Sequence, residues 1–106
     1  MGLGREREAE AALKLADLSL ATPYTILARG DLEAADGRVD EALRYYRRAA
    51  RLGARLPDPH VSIARLLRAA GRLDEARRAA ERAVKLDPEN TEATTILAEL
   101  SEGGVR

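Results

Sequence analysis

Asp36-Gly37-Arg38-Val39-Asp40-Glu41-Ala42 returns, 34 residues on, as Ala70-Gly71-Arg72-Leu73-Asp74-Glu75-Ala76. The correspondence continues through Ala49 and Ala83, Ala50 and Val84, Leu52 and Leu86. A fixed period of this size marks an array of stacked helical units, each burying its apolar face against its neighbours. Function is thereby narrowed to a binding or assembly surface, with no partner named.

Composition agrees with helices. The chain has 106 residues, the length of one domain, and can bury only a modest core. Aromatics make up 3% and there is no Trp or Phe, so the core falls to Leu, Val, Ile and Ala, and Ala is the best helix former. The 18 basic and 18 acidic residues cancel, which argues against an obligate nucleic-acid binder and against a membrane-surface protein. With no Cys, disulfide and thiol chemistry are excluded. Neither a transmembrane run nor a secretory leader is seen, which points to the cytoplasm. The basic residues are nearly all Arg, the usage of a GC-rich, bacterial source.

Gly and Pro punctuate the chain into about six helices, with no strand signal. The first runs from about Arg5 to Ala21. Thr22 caps the second, with Pro23 in its first turn and an end before Gly37. The third spans roughly Val39 to Gly53. Asp58 is read as the cap of the fourth, with Pro59 opening it and Gly71 closing it. The fifth runs from about Leu73 to Leu86. Asn90 caps the sixth, which ends at Gly103-Gly104. Short loops make sequential helices antiparallel hairpins. Asp40→Arg44, Asp74→Arg78 and Arg77→Glu81 stand at ion-pair spacing on solvated faces.

The segment Pro57–Pro88 resembles the tetratricopeptide repeat, in which large and small residues interleave and a proline closes the unit. Ile63-Ala64 fills a large–small pair and Leu67 the next large slot. Gly71 breaks the hairpin, and Ala76, Ala80 and Ala83 line the second helix, where close crossing demands small side chains. Pro23–Ala54 matches less fully: Gly30, Gly37, Ala42, Tyr46 and Ala49 fit, whereas Arg29 replaces an apolar residue and Ala54 a proline. Asn90–Glu102 resembles the first helix of a third unit, and Arg5–Thr22 the second helix of a unit lacking its first. The resemblance implies an all-α fold, a short right-handed superhelical array of antiparallel helix hairpins. The expected organisation is one domain over 1–106: an N-terminal helix at 5–22, repeats at 23–54 and 57–88, and a capping helix at 90–103.

Members of this family often bind peptides in a concave groove lined by the first helix of each hairpin. Stepping by the repeat gives the columns Leu27/Val61/Thr95, Asp31/Arg65/Glu99 and Ala34/Arg68/Glu102, with Tyr24 at the mouth. The peptide-binding residues expected from this mapping are Tyr24, Leu27, Asp31, Val61, Arg65, Arg68 and Glu99. A subgroup of the family grips a C-terminal carboxylate with Lys and Asn; those types are absent from these columns, which disfavours that specificity. Arg65 and Arg68 would take an acidic peptide, unless they simply pair with Asp31 and Glu99.

Chemistry offers less. The lone His60 lacks a second His or a Cys to complete a metal site and reads as a packing residue. There is no Gly-rich phosphate loop, and Ser19, Ser62 and Ser101 have no evident base. The chain is read as a non-enzyme without cofactor or metal. Arg44, Arg48, Arg51 and Arg55, with Arg47 beside them, form a stripe that would touch RNA or an acidic partner, or serve only as a solvated face, as Arg78, Arg82 and Lys85 suggest in the next repeat.

The two end helices differ. On a wheel of about 100° per residue, Ala93, Ile96, Leu97 and Leu100 share one sector, as suits a terminal cap. At the other end, Leu13, Ala16 and Leu20 are apolar where both repeats carry charge: Arg44/Arg78, Arg47/Glu81 and Arg51/Lys85. Leu13, Ala16 and Leu20 are therefore a candidate oligomer interface, in a homodimer, in a longer array of which this chain is a piece, or against a different partner.

Overall fold

A computed structural model describes residues 21–104, with five helices among them and no strand. They are α1 (Pro23–Ala35), α2 (Val39–Leu52), α3 (Asp58–Ala69), α4 (Leu73–Leu86) and α5 (Thr91–Gly104). The helix expected over Arg5–Ala21 lies outside the described residues, as do the interface candidates Leu13, Ala16 and Leu20. The chain divides into two compact units after Leu52.

The repeated seven-residue stretch owes its shape to its glycines. Gly37 and Gly71 adopt φ of 76° and 80°, the left-handed region that a side chain disfavours. At the end of α1, Gly37 N–H donates to the Ala34 carbonyl at 3.0 Å and Arg38 N–H to that of Glu33 at 2.9 Å. At the end of α3, Gly71 and Arg72 donate to Arg68 at 3.1 Å and to Leu67 at 2.9 Å. Both ends are complete Schellman motifs, which satisfy the last carbonyls and turn the chain back toward its partner helix.

The helix starts are tied in different ways. The Thr22 hydroxyl accepts from the Thr25 backbone and the Thr25 hydroxyl from that of Thr22, a reciprocal capping box with Pro23 in the first turn. Asn90 Oδ1 accepts from the Ala93 backbone at 2.9 Å and caps α5. Asp58 is not the cap of α3: it lies inside the first turn, Pro57 precedes it, and no side chain bonds the exposed amides. There its carboxylate acts on the helix dipole instead.

In the first unit α1 packs on α2 through Ile26, Leu27, Ala42, Leu43, Tyr46 and Ala49. In the second, Val61, Ile63, Ala64 and Leu67 of α3 meet an alanine stripe on α4, Ala76, Ala79, Ala80 and Ala83, and α5 adds Ala93, Ile96 and Leu100. Each fully buried Ile or Leu here contributes about 1.5–3 kcal/mol.

The two hairpins solve one crossing with different residues. Gly30 and Tyr46 occupy the repeat positions of Ala64 and Ala80. A Cβ on Gly30 would stand 2.5 Å from Tyr46 Cε1, so the glycine is what admits the ring. In the second hairpin both partners are alanine and the volume is shared. Likewise Arg29 and Tyr45 stand where Ile63 and Ala79 stand in the next repeat. The Arg29 guanidinium lies 5.0 Å from the centre of the Tyr45 ring and donates to its hydroxyl at 2.9 Å. A cation over an aromatic face thus replaces an apolar contact.

Candidate functional site

The expected peptide-binding residues divide by burial. In the first unit Tyr24 is 59% exposed and Asp31 is exposed, whereas Leu27 is only 9% exposed. In the second unit Val61 is 5% exposed, while Arg65, Arg68 and Glu99 keep solvent contact. Leu27 and Val61 are therefore core residues. The 3.6-residue period places them one helical step from the exposed positions.

The ion pairs also redraw the site. Arg68 Nη1 pairs with Glu99 Oε1 at 3.2 Å. Arg65 pairs not with Asp31 but with Glu92, at 2.6 Å. Asp31 instead accepts a 2.6 Å hydrogen bond from the Tyr46 hydroxyl, within its own hairpin. Glu92 was missed by the column mapping. Its sequence signal is the seven-residue spacing from Glu99, two turns along the exposed face of α5. Both arginines of α3 thus hold glutamates of α5, and all four side chains are 36–58% exposed. Such pairs are worth only about 0–1 kcal/mol each, so an incoming carboxylate exchanges with them at little cost.

On α2 and α4, Arg44 and Arg77 pair at i,i+3 rather than at the expected spacing of four. Arg44 reaches Glu41 at 3.9 Å instead of Asp40, and Arg77 reaches Asp74 at 4.0 Å instead of Glu81. The longer arm of Glu41 explains the first choice.

His60, expected to pack, is half-buried at the start of α3, and its Nδ1 makes no hydrogen bond among the described residues. Burial pushes its pKa below the ordinary 6.5, and the Arg82 cation adds to the effect. Among the described residues no group of three or more His, Cys, Asp or Glu is placed to hold a metal. No described helix is long and apolar enough to cross a membrane.

Two models of the tetratricopeptide repeat match this chain, one over residues 26–59 and one over 57–100. The chain belongs to the tetratricopeptide repeat family. A solved structure of the first tetratricopeptide repeat domain of Spaghetti (RPAP3), bound to the HSP90 peptide SRMEEVD, superposes with a TM-score of 0.82 at 22% identity, covering 99% of this chain and 84% of that one. The second such domain of human RPAP3, in complex with the HSP70 peptide SGPTIEEVD, gives a TM-score of 0.74 at 20% identity, covering 94% of this chain and 87% of that one. No curated protein matches the sequence significantly. At these identities the likeness concerns the tetratricopeptide fold.

Proposed function

We propose that this chain is a protein-interaction module that takes up an acidic peptide or extended protein segment in a groove along α3 and α5 of its second unit. One observation carries the reading: Arg65 and Arg68 stand one turn apart on α3, each paired among the described residues with an exposed glutamate of α5. Carboxylates of a partner would replace Glu92 and Glu99 on the same guanidiniums, where the planar fork favours bidentate contacts. In the first unit, taken by itself, Tyr24 presents an exposed ring and Asp31 an exposed carboxylate. Leu27 and Val61 stiffen the helices from below.

The neighbours of known structure hold acidic peptides, which supports the class of ligand. Without the Lys and Asn of the carboxylate-gripping subgroup, recognition here rests on acidic side chains rather than on a chain terminus. The experiment is titration of the labelled peptide SRMEEVD and of its C-terminally amidated form. Both are expected to bind with equal affinity, and Arg65→Glu to abolish binding while circular dichroism and solution mass stay unchanged. Binding that survives Arg65→Glu would remove the groove assignment.

A further inference from the structure

The second helices carry a feature that peptide capture on the first helices does not use. Arg44, Arg47, Arg48 and Arg51 are exposed along α2 and line, with Glu41 and Tyr45, an open hollow of about 550 Å³. One repeat later, Arg78, Glu81, Arg82 and Lys85 occupy the same four positions on α4. With Val84 and Leu97 they line a hollow of about 540 Å³. Three of the four positions are cationic in both repeats. An exposed leucine stands one turn beyond the third position each time, Leu52 at 53% and Leu86 at 38% exposure. Apart from Arg44, which reaches Glu41, none of these cations makes an ion pair among the described residues.

Such an arrangement works against the folded chain. Arg44 and Arg48, Arg47 and Arg51, and Arg78 and Arg82 are like charges at i,i+4, each mildly destabilising. A face serving only solubility does better with alternating signs. We propose that the exposed faces of α2 and α4 are two repeat-equivalent docking sites for an acidic amphipathic segment of a partner protein. Its carboxylates would neutralise the cations, and its apolar residues would cover Leu52 and Leu86.

The chemistry favours an acidic polypeptide over a nucleic acid. A single strand needs aromatic faces on which its bases stack. The Tyr45 ring is already covered by Arg29, and α4 has no aromatic residue. Glu41 and Glu81 stand within the strips and would repel phosphates, whereas a polypeptide can meet them with Lys or Arg. Two sites on one chain also raise the avidity for a partner carrying two such segments.

The test uses the full chain and a fluorescent synthetic peptide with Glu repeated at i,i+4 and Leu between, against an oligouridylate of equal charge. Arg44→Gln with Arg48→Gln and Arg51→Gln, and separately Arg78→Gln with Arg82→Gln and Lys85→Gln, are each expected to weaken peptide binding about tenfold. In an Arg65→Glu background, which silences the first-helix site, binding should persist; combining the two sets there should remove it, and Leu52→Ser with Leu86→Ser should weaken it. No peptide binding by the unaltered chain would overturn the proposal, as would unchanged affinity in the combined Gln variant. Tighter binding of the oligouridylate would assign the faces to nucleic acid instead. Loss of binding on Arg65→Glu would move the peptide to the first helices.

Discussion

Gly30 is the residue on which the first hairpin closes. Its missing side chain is the space into which the Tyr46 ring fits, so Gly30→Ala forces ring and helix apart. We expect it to cost about 1–3 kcal/mol, the usual toll of overpacking, read as a shift of the urea midpoint. Tyr46→Ala alone should cost about 3–5 kcal/mol through the cavity it leaves. The double variant, which copies the Ala64/Ala80 crossing of the second hairpin, should be less destabilised than the two losses summed. A strictly additive cycle would mean that ring and glycine are not complementary. His60 makes a second prediction. Its folded pKa lies below the ordinary value of 6.5, so the unfolded chain binds the proton more tightly. Stability from this group is present above about pH 6.5 and is lost as pH falls through the folded pKa. Thermal melts at about pH 7.5 and about pH 5.5 should show a drop that His60→Leu abolishes.

At the scale of the element, the sequence reads furthest where backbone geometry decides. Gly37 and Gly71 punctuate the repeat in the sequence, and in the structure each sits at positive φ in a Schellman motif. Replacing Gly71 by Ala should cost about 1–2 kcal/mol, several degrees in melting temperature for a chain of this size, without altering helix content in circular dichroism. An unchanged melting temperature would contradict the strained left-handed turn. Thr22 and Asn90 were legible as caps for the same reason, since their bonds are local. Asp58 was misplaced by one residue, because proline on either side leaves the helix start under-determined. Ion pairs were legible only as a tendency. Whether Arg44 meets Asp40 or Glu41 depends on side-chain reach, which spacing does not encode.

For the whole molecule, equal numbers of acidic and basic residues mean that no net field draws an acidic peptide from a distance. Association should therefore run near the unsteered rate of ~10⁵–10⁶ M⁻¹s⁻¹. Raising salt from about 50 to about 500 mM should mainly speed dissociation, by screening the contacts made at Arg65 and Arg68. Stopped-flow measurement showing a steep fall in the association rate would instead indicate long-range steering. By itself the sequence determined the all-α class, the period, the hairpin turns and the family, because these rest on local backbone preference and on apolar spacing along single helices. Only the tertiary structure decided that Leu27 and Val61 are core, that Asp31 belongs to Tyr46, and that Arg65 belongs to Glu92. It also showed that the basic strip of α2 and its counterpart on α4 each border a hollow. The two side-chain pairings join residues far apart in sequence, and no periodicity records which of them meet until the helices have packed.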